Sequence, residues 1–210
     1  MRTDFQKRSP KEYTKFKAII QWITCNLVYG LYYRIVYNLK IEGRENVPKK
    51  GFFIVASNHV SAIDPFLVIY GIQRNTAYMA KVELFKNKIA SFFLDILGAF
   101  AVDRAKLSVS TIKTALGLKQ TNWCLGIFPQ GTREREGNMD NINKGFASFA
   151  KTLKCDILPV AITGATKNER KAFKSNMKIK IGEPIPYNND TQEMIKIWSE
   201  KIIELSEGKI

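Results

Sequence analysis

The chain has 210 residues with 45% hydrophobic content, enough for one ordinary domain with a sizeable core, which excludes a disordered chain and leaves little room for a second full domain. Its formal charge of +14 comes from 33 Lys and Arg against 19 Asp and Glu, and half of that excess sits in residues 1–50, which hold 11 basic and 4 acidic side chains. A balance of this kind favours anionic partners: nucleic acid, acidic lipid headgroups or phosphorylated substrates.

Residues 18–33 carry no charge and are flanked by Lys15, Lys17 and Arg34. Their length falls short of the roughly 20 residues a spanning helix needs, and Gln21, Thr24 and Asn26 dilute the run. There is no small-x-small cleavage site of the kind that ends a signal peptide. Trp22, Tyr29, Tyr32, Tyr33 and Tyr37 suit the headgroup level of a bilayer, and the flanking cations suit anionic lipid. The expectation is a helix lying in the membrane interface; the plainer reading is a long helix packed on the core.

Beyond Gly43, short apolar runs alternate with helical patterns. Phe52–Ala56 reads as a buried strand, and Pro65 opens a helix with Asp64 as its N-cap. Thr76–Ala80 is a second strand, Phe85–Leu97 a helix ending before Gly98, and Ala99–Val102 a third strand. Ser108–Lys119 is an amphipathic helix, and Trp123–Phe128 a fourth strand closed by Pro129-Gln130-Gly131. Asn143–Leu153 is helical, Ile157–Ile162 and Met177–Ile181 are strands, and Thr191–Glu207 is a closing helix. The polar, basic stretch Asn168–Asn176 reads as a solvated loop or a short helix. The order predicts an α/β fold: a single domain, residues 41–210, with a largely parallel or mixed central sheet flanked by helices, preceded by an N-terminal helical membrane-contacting segment over residues 1–40.

Cys25, Cys124 and Cys155 are odd in number and far apart, with no CxxC, which argues for free thiols and against a disulfide framework or a zinc site. Cys124, in an apolar run, reads as a packed thiol. The lone histidine, His59, leaves a strand-like run in Ser57-Asn58-His59-Val60-Ser61-Ala62-Ile63-Asp64. A carboxylate five positions on, carried back by the turn into the Pro65 helix, can orient the imidazole and stabilise its protonated form. The other ring nitrogen is then free to take a proton from a substrate hydroxyl. A purely structural histidine and a purely capping aspartate are the alternatives. The second cluster is Phe128-Pro129-Gln130-Gly131-Thr132-Arg133-Glu134-Arg135-Glu136, in which arginines follow a strand end. Arginine recognises phosphate through several donors at once, and Gly131 allows close backbone approach to an anion. Interleaved glutamates leave a surface turn of Arg–Glu pairs as an equal reading.

Together these clusters resemble the glycerolipid acyltransferase superfamily, closest to the 1-acylglycerol-3-phosphate acyltransferases. NHVSAID resembles the NHxSxxD block, and FPQGTR the FPEGTR block. Residues 80–85 with 98–104 are similar to the middle block, and residues 158–164 to the last. The likeness covers roughly residues 35 to 185. It implies that His59 is the general base and Asp64 its partner, with Asn58, Ser61 and Gln130 in support. It implies phosphate binding by Arg133, Gly131 and Thr132, with Arg104 and Lys81 as further candidates. The acceptor it implies is lysophosphatidic acid, the co-substrate acyl carrier protein or acyl-CoA, with no metal and no cofactor, at the cytoplasmic face of a phospholipid membrane. It also implies two N-terminal helices, for which Ser9-Pro10 offers a break. Gln130 departs from the usual glutamate: it keeps an acceptor oxygen but loses the charge.

Other readings are an acyltransferase of the same superfamily with a different lysolipid acceptor, a catalytically dead membrane adaptor, and a basic nucleic-acid-binding protein. The last would account for the charge, but helix-turn-helix spacing, RNA-binding aromatic motifs and zinc ligands are missing from the sequence.

Overall fold

Short runs rich in Ile, Val, Leu and Ala, polar on neither face, pair stably only when helices cover both sides of the sheet. Four such runs, Ile54–Ser57, Phe100–Val102, Cys124–Ile127 and Ile157–Thr163, assemble here with three strands that are more polar into one sheet of seven. The computed structural model describes residues 5–103, 108–131 and 142–208. Its strands are β1 (Lys40–Glu42), β2 (Ile54–Ser57), β3 (Thr76–Lys81), β4 (Phe100–Val102), β5 (Cys124–Ile127), β6 (Ile157–Thr163) and β7 (Lys178–Ile181), in the sheet order β1-β7-β6-β2-β5-β3-β4. The predicted mixed sheet is therefore found. The β6–β7 pair is antiparallel and the others are parallel. β2 lies at the centre, Ile54 facing Leu125 on one side and Ile157 on the other.

Alternation along the strands divides the core in two. Ile54 and Ala56 point into a cluster with Leu125, Phe146, Leu153 and Trp198. Phe53 and Val55 point to the opposite cluster with Leu67, Val68, Leu158 and Ile179. The first face is covered by α5 (Val109–Leu118), α6 (Gly145–Leu153) and α7 (Thr191–Ser206). Trp198 of α7 is fully buried and its indole N–H donates to the Ala56 carbonyl at 3.1 Å, so the ring's polar edge is satisfied where it meets β2. The second face is covered by α3 (Asp64–Ile72), buried on nearly every side, and by the N-terminal helical segment.

That segment begins as α1 (Lys15–Ile23), passes through a π-helical stretch at Thr24–Gly30 and ends as α2 (Leu31–Val36). Ser9-Pro10 opens only a 3-10 turn at Pro10–Glu12, so the expected break into two helices is not there. The irregularity lies instead at the π-helical stretch, where Gly30 meets the ring of Tyr70: a Cβ at that position would stand 2.3 Å from a ring carbon. The missing side chain at Gly30 lets this segment lie directly against the Tyr70 ring of α3. No helix among the described residues is long and apolar enough to cross a membrane.

Ahead of α1 the chain runs along the β4 edge. The Ala101 N–H donates to the Phe5 carbonyl at 2.9 Å, and the Thr114 hydroxyl donates to the Gln6 carbonyl at 2.9 Å. Arg8 is buried, bonded to the Ala99 carbonyl and paired with Asp95 at 2.6 Å. An edge that would otherwise expose free backbone groups is thereby closed.

One predicted element differs in detail, and one strand was not predicted. The helix expected over Phe85–Leu97 is a 3-10 turn at Val82–Lys86 followed by α4 (Lys88–Ile96). The Asn87 side chain accepts from the Ile89 and Ala90 N–H groups and starts the helix afresh, a capping signal the apolar periodicity hides. β1 was not foreseen: three residues with an exposed–intermediate–exposed pattern carry no periodic signal, and only pairing with β7 makes them a strand.

Candidate active site

β2, β3, β5 and β6 run parallel, so their C-terminal ends share one edge of the sheet, where ligands of such sheets gather. Lys81 ends β3, and the loops leaving the other ends carry Asn58–Ser61, Phe128–Gly131 and Thr166–Arg170. His59, Ser61, Lys81, Gly131 and Arg170 all line one cleft of about 900 Å³.

Asp64 is fully buried. It is the first residue of α3 and not its N-cap, which corrects the capping role expected of it; Ile63 occupies that position, without a side-chain hydrogen bond. The Asp64 carboxylate turns back into the preceding loop. Its Oδ2 accepts from the Val60 and Ser61 N–H groups, both at 2.7 Å, and from His59 Nδ1 at 2.8 Å. Three donors on one oxygen fix the carboxylate without help from solvent. Because a carboxylate only accepts, Nδ1 carries the proton in neutral His59 and the lone pair is left on Nε2. The imidazole is further held by Phe128, whose ring stacks on it at 4.0 Å and 17°, and Phe128 in turn stacks on Tyr78 at 5.1 Å. Torsional freedom of the histidine is therefore limited on its Nδ1 side and on one face. The arrangement suits proton abstraction from a hydroxyl in the cleft.

Gln130 is buried, and its side-chain oxygen accepts from the His59 backbone N–H at 2.7 Å. The acceptor oxygen that Gln shares with Glu is the atom this geometry uses. Asn58, also buried, clamps β6: its amide donates to the Ile162 carbonyl at 2.8 Å and its oxygen accepts from the Ile162 N–H at 2.7 Å. Asn58 thus holds the loop from beneath. Gly131 has a φ of +71°, which favours glycine by conformation, and among the described residues nothing lies within 4 Å of an added Cβ; it lines the cleft. Lys81 is exposed at the end of β3. The structure thus brings together His59, Asp64, Asn58, Ser61, Gln130, Gly131 and Lys81. Arg104, Thr132 and Arg133, like Glu134, Arg135 and Glu136, lie outside the described residues.

From His59 the cleft extends as an apolar arm along β3, past Met79 and Tyr78 to Thr76, between Phe66 and Ile69 of α3, Cys25 of the N-terminal segment, and Leu94 and Leu97. The five steps from Lys81 to Thr76 span roughly 17 Å at strand rise. One leaflet of bilayer hydrocarbon is about 15 Å thick. Gln21 lines the cleft beside Thr76, and its amide donates to the Thr76 and Leu97 carbonyls at 2.8 and 2.7 Å. The Cys25 thiol lines this arm, but burial pushes its pKa up to about 12, as it does for Cys124 and Cys155, so none of the three is a ready thiolate. Cys124 is fully buried in β5, the packed thiol that the sequence suggests.

Sequence reasoning missed three contributors. Phe128 lay inside the quoted block, and an aromatic directly before Pro129 at a strand end was the available signal. Tyr78 and the apolar arm look like ordinary core in sequence. Asn168 and Arg170 fall at the start of the stretch read as a solvated loop or short helix, and Lys167 directly precedes it; no local pattern separates a loop that folds over a cleft from one that faces bulk water.

A family model described as Acyltransferase matches residues 38–163. The chain is 35% identical over 148 residues to a 1-acyl-sn-glycerol-3-phosphate acyltransferase of Bacillus subtilis, covering 70% of this chain and 73% of that protein. It is 31% identical over 124 residues to the enzyme of that name in Borreliella burgdorferi, covering 58% of this chain and 50% of that one. Among solved structures, the 1-acyl-sn-glycerophosphate (LPA) acyltransferase PlsC of Thermotoga maritima superposes with a TM-score of 0.73 at 25% identity, covering 90% of this chain and 78% of that one.

Proposed function

The chain belongs to the Acyltransferase family, and from that premise we propose that it transfers a fatty acyl group from a thioester to the sn-2 hydroxyl of 1-acylglycerol 3-phosphate, giving phosphatidic acid. The observation that carries the mechanism is the 2.8 Å contact between His59 Nδ1 and a buried carboxylate, which leaves Nε2 as the base toward the cleft. His59 Nε2 takes the proton of the acceptor hydroxyl as its oxygen attacks the thioester carbonyl. The tetrahedral adduct collapses with cleavage of the C–S bond, and the imidazolium returns its proton to the departing thiolate. Asp64 stabilises the imidazolium between these steps. No acyl-enzyme is needed, in keeping with the buried, protonated thiols. The apolar arm, about as long as one leaflet, suits an acyl chain, while Lys81 and the Gly131 turn suit the acceptor phosphate, the role that the family resemblance also implies for Arg133. The donor is acyl-CoA or acyl carrier protein, both anionic and both suited to the basic chain.

The reaction takes place at a membrane surface in this reading. Phe16, Ile19, Ile23, Val28, Leu31 and Ile35 are exposed along the N-terminal helical segment, and Ile89, Phe92 and Phe93 along α4, which packs against α1. Apolar surface of that extent, edged by Lys15, Arg34, Lys86 and Lys88, fits insertion into an anionic headgroup layer.

The test is acyl transfer to 1-acylglycerol 3-phosphate in mixed micelles, from acyl-CoA and from acyl carrier protein, with wild type and His59→Ala. Turnover lost in a folded His59→Ala protein supports the reading, and turnover that persists refutes the base. Turnover with other lysolipids but not with 1-acylglycerol 3-phosphate refutes the acceptor.

A further inference from the structure

β6 and β5 flank β2 on opposite sides, so the cleft at His59 has two walls. The β5 and β3 side holds Gly131 and Lys81. The β6 side holds Thr166, Lys167, Asn168 and Arg170, from the loop that leads to β7.

That loop is built rather than slack. The Arg170 N–H donates to the Thr166 carbonyl at 3.1 Å, and Thr166 N–H to the Glu169 carboxylate at 3.2 Å. The buried Ser175 hydroxyl accepts from the Lys171 N–H at 2.6 Å and lies within hydrogen-bonding distance of the Glu169 and Lys171 carbonyls. The Phe173 N–H donates to the Val36 carbonyl at 2.6 Å, tying the loop to the end of α2. Arg170 itself is half-buried. Its Nη1 donates to the hydroxyl of the buried Tyr33 at 3.1 Å, and its Nε is buried with no hydrogen-bond partner. Among the described residues no carboxylate pairs with it. A guanidinium that lines the cleft, is oriented through Nη1 by one neutral hydroxyl and is paired with no carboxylate among the described residues is arranged to receive an oxyanion from that cleft.

We propose that Arg170, held by Tyr33, binds a substrate phosphate on the β6 wall, a second anion position across His59 from Lys81 and Gly131. The inference rests on the acyl-transfer reading, in which both substrates bear phosphate: the acceptor at its sn-3 position, the donor in the phosphopantetheine arm that carries its thioester. One wall for each phosphate would place the acceptor hydroxyl and the thioester carbonyl on either side of His59. Tyr33 stands in the segment proposed to contact the membrane, so the same hydrogen bond links the position of that segment to the anion site.

Steady-state kinetics of Arg170→Ala, Arg170→Lys and Tyr33→Phe, varying each substrate in turn, test this. Arg170→Ala is expected to raise the KM of one phosphate-bearing substrate by roughly tenfold or more with kcat changed by less than about threefold. Arg170→Lys restores part of the loss because the charge remains but the fork does not, and Tyr33→Phe raises the same KM by a smaller factor. A rise confined to the acceptor assigns the site to the lipid headgroup; one confined to the donor assigns it to the phosphopantetheine phosphate. Calorimetric titration with 1-acylglycerol 3-phosphate in micelles and with coenzyme A provides the same comparison without turnover, so an inactive wild type would count against the acyl-transfer reading alone. If Arg170→Ala binds both probes as wild type does, or lowers only kcat or thermal stability, Arg170 is a structural tie to Tyr33 and the proposal fails.

Discussion

Replacing Asp64 by Asn isolates the role of its charge. All three donors converge on one carboxylate oxygen, Oδ2, and the other, Oδ1, is buried without a partner. An asparagine that places its oxygen at the Oδ2 position therefore keeps every hydrogen bond of the resting site, with its amide nitrogen where Oδ1 was. What it removes is the attraction to the imidazolium that forms when His59 takes a proton. At 2.8 Å and an effective dielectric constant near 20, that attraction is about 6 kcal/mol. The amide dipole keeps part of it: a neutral hydrogen bond is worth about 1 kcal/mol net and one to a charged group up to about 3. The loss at the transition state is then roughly 3–5 kcal/mol, or a fall in kcat of about 140- to 4,000-fold at 1.4 kcal/mol per decade. The assay is kcat and KM for acyl transfer, with thermal unfolding measured beside it. Tm and KM should move little. By contrast, Asp64→Ala strands the Val60 and Ser61 N–H groups and should lower Tm as well. An Asp64→Asn enzyme within threefold of wild-type kcat, with unchanged Tm, would refute the claim that the carboxylate acts through its charge.

Three further outcomes are expected. Gln130→Glu keeps the acceptor for the His59 N–H and should leave kcat within a few-fold, whereas Gln130→Leu leaves that N–H unpaired at a cost of about 1–3 kcal/mol, read as a lower Tm together with lost activity; equal activity of the two would show that the bond is dispensable. At Asp95, burial pushes the carboxyl up, but the Arg8 guanidinium and the Lys17 ammonium outweigh it and hold it below the usual carboxylate range. A group so depressed contributes stability above its unfolded pKa of about 3.9 and loses it as pH falls through the folded value, so Asp95→Asn should narrow the gap in Tm between pH 6 and pH 3, and parallel curves would contradict the pairing. Phe92→Ser with Phe93→Ser should weaken co-sedimentation with anionic vesicles while leaving the fold intact, since both rings are exposed; undiminished binding would remove α4 from the membrane surface.

The sequence by itself determined the pieces that local chemistry governs. Buried strands show as apolar runs bounded by turns, and Pro65 marks the start of α3 because its ring fits the first helical turn and little else nearby. The proximity of His59 and Asp64 was legible because six residues between a strand end at Ser57 and a helix start at Asp64 leave few ways to bend. The acceptor function of Gln130 was legible as chemistry, but its partner, the His59 N–H, lies 71 residues away and is set by the parallel pairing of β2 with β5.

Tertiary structure decided the rest. β1 exists because β7 offers it an edge, and the partner of Gly30, the ring of Tyr70, comes from a helix 40 residues away. Whether Asp64 caps its helix or faces the loop depends on which donors reach it first, and three in the loop do. Arg170 becomes part of the cleft only because β6 lies beside β2 and a hydroxyl from the far N-terminal segment holds its guanidinium. Residue type states what a side chain can do; which groups it meets is fixed by strand order, a property of the whole chain that no local window of sequence contains.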